Sequence, residues 1–231
     1  MDARELDQGI AGAAGAHQRL LARLDAHPDF DQAQPSLLPD WTVGHVLTHI
    51  ARNADGNIRM LDGLDQYEGG IEGRRAEIEA GAGRSPGELI ADVRGSIWRL
   101  EQRWAQEPAW DGPPAKATFG DVPPYVLPSR RWRETEVHHA DLGFGYTFAD
   151  MPDDFVRFEL RRMEMQWTAR QPMGLTTLPE AVLQLPPPMS RPAPRARIEA
   201  RIVGTRFVVS CRTPAVAGSR WWRRRRASRA G

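Results

Sequence analysis

Apolar residues recur along the first 170 positions at spacings of three and four, the period of helices that bury one face. Leu6, Ile10, Ala13, Leu20, Leu21 and Leu24 form one such stripe, with His17 inside it, and it ends before Pro28. Val43, Val46, Leu47, Ile50, Ala54 and Leu61 form a second, which predicts a helix from near Thr42 to about Gly63. Asp29 to Pro39 reads as a loop, and the glycine-rich, charged stretch Gly69 to Gly83 as a short helix between loops. Ser85-Pro86-Gly87-Glu88 has a serine cap, proline at the first helical position and glutamate three residues after the cap. Leu89, Val93, Ile97, Leu100 and Trp104 continue it as a stripe. Pro108 to Pro128 holds six prolines and predicts an irregular connection, with a hairpin around Lys116 to Val122. Two further helices are expected over Ser129 to Leu142 and Asp153 to Arg170, the latter with Val156, Leu160, Met163 and Trp167 in register. Trp41, Trp98, Trp104 and Trp167 read as core residues.

The pattern changes after Pro172. Leu185 to Pro194 is proline-rich, and Ala196, Ile198, Ala200 and Ile202 then alternate as a strand does. Gly204-Thr205 reads as a turn and Phe207-Val208-Val209 as a returning strand. The expected organisation is a helical bundle over 1–172, a proline-rich linker over 173–194, and a small hairpin portion over 195–231 that ends in an arginine-rich tail.

Composition narrows the function. The chain has 231 residues, 41% of them hydrophobic and 26% charged, as in ordinary folded proteins. No apolar run is long enough to span a membrane, the N-terminus lacks a signal-peptide pattern, and one cysteine, Cys211, excludes a disulfide framework. These features point to the cytoplasm. The net charge is +1, yet the last twelve residues carry six arginines and no acid, which leaves −5 on residues 1–219. The body is therefore mildly acidic, no nucleic-acid partner is expected, and the tail reads as a solvated, poorly ordered segment over 210–231.

Candidate chemistry lies in the second helix and in the helix over Ser129 to Leu142. At about 100° per residue, His49 borders the apolar stripe of the second helix, while His45 turns toward solvent. On the other helix Glu134, His138 and Asp141 share a face with Leu127, Val137 and Leu142, all within about 80° of Glu134. His139, Glu136 and Trp132 fall on the other side. Buried charge needs partners or a metal. Glu134 and His138, four apart, can converge on one ion, and His49 would complete a two-histidine, one-carboxylate set with open positions. Asp141 could orient a ligand from behind. His17 reads as a hydrogen-bonded core histidine.

Two segments carry a resemblance. Leu38-Pro39-Asp40-Trp41-Thr42-Val43-Gly44-His45-Val46-Leu47-Thr48-His49-Ile50-Ala51-Arg52-Asn53-Ala54 and Arg133-Glu134-Thr135-Glu136-Val137-His138-His139-Ala140-Asp141-Leu142-Gly143 resemble two signatures of the mycothiol-dependent maleylpyruvate isomerase family. The resemblance covers about residues 1–172. It implies a mainly α fold, a DinB-like four-helix bundle followed by a small, incomplete α+β C-terminal portion. It implies a divalent metal, usually zinc, on His49, Glu134 and His138, and mycothiol as thiol cofactor. It places a family arginine on Arg74, with Arg75 as the alternative. The implied reaction is isomerisation of the dicarboxylate maleylpyruvate to fumarylpyruvate by reversible thiolate addition. A mycothiol S-transferase on the same scaffold and a non-enzymatic metal-binding bundle are the alternatives. The likeness ends near Ser210, where the family's further arginine finds no counterpart, which predicts weak activity.

Overall fold

The computed structural model describes residues 3–106, 108–170, 197–203 and 206–212. Six α-helices are present among them: α1 (Ala3–Asp25), α2 (Val43–Leu61), α3 (Gly70–Ala82), α4 (Pro86–Ala105), α5 (Leu127–Asp141) and α6 (Asp153–Arg170). The chain divides into two compact units, Met1–Trp167 and Thr168–Gly231. The described part of the second unit is an antiparallel pair, β1 (Arg197–Val203) and β2 (Arg206–Arg212), in register Arg197↔Arg212 to Val203↔Arg206. β2 thus continues through Ser210, Cys211 and Arg212, which the sequence reading had placed in the tail. The expected linker over 173–194 and the tail from residue 213 onward lie outside the described residues.

In the first unit α1, α2, α4 and α5 form the bundle. α1 packs on α5 and α4, and α2 packs on the same two helices from the other side. The fold is mainly α and DinB-like. Leu20, Leu24, Val46, Leu47, Ile50, Leu89, Val93, Ile97 and Leu142 make one buried cluster between the helices. Ala13, Ala16, Ala54, Leu100, Trp104, Trp132 and Phe155 make a second. Close approach is written into two glycines. A Cβ on Gly12 of α1 would meet the Trp132 ring at 2.3 Å, and one on Gly44 of α2 would meet the Ala82 carbonyl oxygen at 1.9 Å. The second contact clamps the end of α3 against the start of α2, which positions Arg74.

Helix starts follow local chemistry. Thr42 caps α2 in a capping box with His45, and Ser85 caps α4 in a capping box with Glu88. α5 begins at Leu127, ahead of the expected Ser129, because a 3₁₀ turn over Pro124–Val126 runs into it. In the connection before it, the expected hairpin is reduced to one bridge, Ala115↔Val122.

Three expectations about faces are corrected. Trp132, Glu136 and His139, read as the outer side of α5, are buried at 1%, 0% and 1% exposure. α5 has α2 against one face and α1 against the other, so a one-sided wheel does not describe it. In α6 the expected inner stripe is turned outward: Val156 and Leu160 are 39% and 55% exposed, whereas Phe155 and Glu159 are buried. Phe155 and Phe158 pack on Trp132, and Arg133 holds Glu159, which sets the rotation of the helix. Trp98 is exposed at 62%, not in the core, while Trp104 is buried.

Candidate metal centre

His49 stands on α2 two turns beyond the cap and is buried, with its ring edge-on to Trp41 at 5.6 Å. His45 is occupied elsewhere: its Nδ1 accepts from the Thr42 backbone N–H at 3.2 Å, and its Nε2 lies 3.2 Å from Glu79. α5 presents Glu134 and His138 to His49. The His49 Nε2 atom is 3.1 Å from Glu134 Oε2 and 3.1 Å from His138 Nε2, and His138 Nε2 is 3.5 Å from Glu134 Oε2. Three ligand atoms converge, all within 4.8 Å of one another. Ligands about 2.1 Å from a tetrahedral ion stand roughly 3.4 Å apart, so the triangle has the size such an ion requires.

Without an ion, the three groups share protons among themselves. Burial pulls the His49 imidazole down to about 4, which keeps it neutral with a lone pair to offer. Burial opposes charge on His138 too, but hydrogen bonds to Asp141 and Glu134 outweigh it and push that imidazole up to about 9. Burial would raise Glu134, yet hydrogen bonds from His138 and His49 hold it well below the usual carboxylate range. Asp141 Oδ2 accepts a hydrogen bond from His138 Nδ1 at 2.9 Å, so Nε2, once it gives up its own proton, is the nitrogen that would face an ion.

Arg74 of α3 reaches the same place. Its Nη2 is 3.2 Å from His49 Nδ1, and its guanidinium lies 5.8 Å from the Trp41 ring and 5.9 Å from the Tyr67 ring. Arg75 pairs with Glu72 at 2.8 Å on the exposed side of the helix. A cavity of about 180 Å³ opens beside the triangle, lined among others by His49, Asn57, Tyr67, Arg74, Arg130, Arg131 and Glu134.

The sequence reading missed Arg131. It is wholly buried, donating from Nε to His17 Nε2 at 3.1 Å and from Nη1 to the Ile50 carbonyl and Asn53 Oδ1, both at 2.9 Å. His17 is a hydrogen-bonded core histidine, as expected; its Nδ1 lies 2.8 Å from Glu101 Oε1. A signal was present: Arg130 and Arg131 precede Glu134 by four and three residues, which places them on its face.

Bundle and cluster together define a class: a DinB-like helical bundle with a candidate two-histidine, one-carboxylate centre. Residues 13–143 match the family model "Mycothiol maleylpyruvate isomerase N-terminal domain". The chain belongs to that family. It is also similar to the crystal structure of the mycothiol-dependent maleylpyruvate isomerase, with 28% identity, a TM-score of 0.59 and 66% of each chain covered. A histidine-to-alanine mutant of that enzyme matches with 27% identity, the same TM-score and the same coverage. The match thus spans 66% of the solved isomerase chain. No curated protein sequence matches this chain. Among the described residues no helix is long and apolar enough to cross a membrane.

Proposed function

We propose that this chain is a metal- and mycothiol-dependent cis–trans isomerase that converts maleylpyruvate to fumarylpyruvate in the cytoplasm. His49, Glu134 and His138 hold a divalent ion, zinc in this reading, and Arg74 is the catalytic cation. The observation that carries the proposal is the convergence of three ligand atoms at the edge of a cavity lined by arginines. When bound by these three residues, such an ion would supply thiolate from a coordinated thiol at neutral pH, the nucleophile whose reversible addition turns a double bond into a rotatable single bond.

The chain's own residues do the rest. Asp141 fixes the tautomer of His138. Once His49 Nε2 serves as a ligand, its neutral ring keeps a proton on Nδ1 and accepts nothing from Arg74. The Arg74 guanidinium, held between Trp41 and Tyr67, is then available to a substrate carboxylate or to the enolate oxygen formed on addition. Losing one such donor costs roughly 10²–10³ in turnover.

The test is conversion of maleylpyruvate by the zinc-loaded full chain, with and without mycothiol. Turnover that requires the thiol is expected, with loss of zinc and activity in His49→Ala and retention of both in His45→Ala. Thiol-independent turnover, or equal loss from His45→Ala, refutes the reading. A product that retains the thiol as a thioether identifies an S-transferase instead.

A further inference from the structure

Four arginines line the cavity, Arg74, Arg130, Arg131 and Arg133, against one carboxylate, Glu134. Their engagements differ. Arg133 is neutralised by Glu159, with Nε and Nη2 at 2.8 and 2.7 Å from Oε1. Arg74 rests on His49. Arg131 uses Nε and Nη1 to brace α1, α2 and α5, but its Nη2 is buried without a hydrogen-bond partner. A guanidinium nitrogen left unpaired in the interior is costly, and an anion reaching it would remove that cost. Arg130 makes no hydrogen bond or ion pair with any described residue, and the charges that act on it are Arg133, Arg162 and Glu134. Arg130 is exposed, and its partial burial together with the two neighbouring arginines weakens its hold on the proton, a condition that an anion would relieve. Burial brings Arg131 down to about 10, so it too stays charged at neutral pH.

We infer that Arg131 Nη2 and Arg130 form a carboxylate-binding subsite in the cavity wall, distinct from Arg74 and from the ligand triangle. In the proposed reaction this subsite takes one carboxylate of the dicarboxylate and Arg74 faces the reacting end. The carboxylate's assignment to that substrate rests on the isomerase reading; the anion site itself rests on the unpaired guanidinium atoms.

The experiment is calorimetric titration of the full chain, metal-free and zinc-loaded, with maleate as probe. The wild type is expected to bind maleate in both forms. Arg130→Gln is expected to weaken maleate roughly tenfold to a hundredfold, the worth of one charge-assisted hydrogen bond, with zinc content unchanged. Arg131→Lys keeps a buried charge but loses the fork, and is expected to do the same where it folds. If it does not fold, Arg130→Gln decides alone. Unchanged maleate affinity in Arg130→Gln, or no maleate binding by the wild type, overturns the subsite even if mycothiol-dependent turnover is present. Maleate binding that depends on Arg130 supports it even where that turnover is absent and the isomerase reading has failed.

Discussion

The two faces of α5 carry the same residue types and use them in opposite ways. Toward α2 it presents Glu134 and His138; toward α1 it presents Glu136 and His139. Glu136 is closed off: it is wholly buried, takes a hydrogen bond from Tyr146 at 2.5 Å and one from Trp132 at 3.3 Å, and pairs with Arg19. All three donors come from the protein. Glu134 is 37% exposed at its side chain and has two imidazole nitrogens in front of it, which also face each other. Lone pairs that converge with too few protons among them suit a cation; a carboxylate surrounded by donors suits a fold. The difference between a binding site and a structural ion pair is the direction in which hydrogen-bond capacity is left over.

The largest effect expected from this contrast is on metal affinity. Structural zinc sites of four ligands are worth about 10–16 kcal/mol, so Glu134→Ala should weaken zinc by at least about 10²-fold. The metal-free protein should lose some stability too, since hydrogen bonds from His138 and His49 hold the carboxylate ionised, but less than a fully buried pair costs, because its side chain is 37% exposed. Zinc titration against a competing chelator checks this, and wild-type affinity in the variant would abolish the distinction between the faces. On the other face Arg19→Ala strands the buried Glu136 with neutral donors only. Breaking a buried pair costs about 3–5 kcal/mol, and the lower end applies because Arg19 is 36% exposed. Urea unfolding should show that loss while zinc affinity is unchanged.

Asp141→Asn tests the contrast at finer scale. The Asp141 carboxylate accepts from the outer nitrogen of His138, so its replacement by the neutral amide should lower zinc affinity roughly 10–100-fold and cost the metal-free protein a smaller share of its stability. A stability loss with full zinc affinity would make Asp141 part of the structural set.

How far these roles can be read from the sequence follows from the same geometry. Helices with one buried face, α1 and α4, are legible because one periodic face decides their rotation, and α2 is legible from its stripe and its cap although it is buried nearly all round. His49, Glu134 and His138 are legible because the spacing of four puts the last two in line and the stripe of α2 turns His49 inward. The partners of Glu136 are not, since Arg19 and Tyr146 come from α1 and the loop after α5, and no local period reports contacts that distant. Arg131 hides for a related reason: a wholly buried arginine is justified only by His17, Ile50 and Asn53 from two other helices. In α6 an aromatic contact with Trp132 and the Arg133–Glu159 pair override a plausible stripe.

The smallest expected effect concerns His139, the residue that makes the second face look like a site. It is buried, stacks on Tyr146 with ring centroids 3.8 Å apart and planes 2° from parallel, and neither ring nitrogen has a partner. Burial, then Arg23 and Arg19, pull its imidazole down to about 4. A histidine whose folded pKa lies below the unfolded value of about 6.5 loses stability as pH falls from 6.5 toward 4, because only the unfolded chain takes up the proton there. The slope in that window is at most about 1.4 kcal/mol per pH unit for this residue. Among the histidines outside the candidate ligand triangle, His17 acts in the same direction, its imidazole also drawn down to about 4, chiefly by burial. His139→Phe keeps the stack and removes two unsatisfied nitrogens. It should therefore raise stability at pH 7 by about 1 kcal/mol and flatten the acid limb, leaving the share due to His17. Urea midpoints at pH 7 and pH 5 measure both effects. If the variant instead loses stability at pH 7, His139 has a hydrogen-bonding role on its own face, and the second side of α5 is less closed than Glu136 makes it.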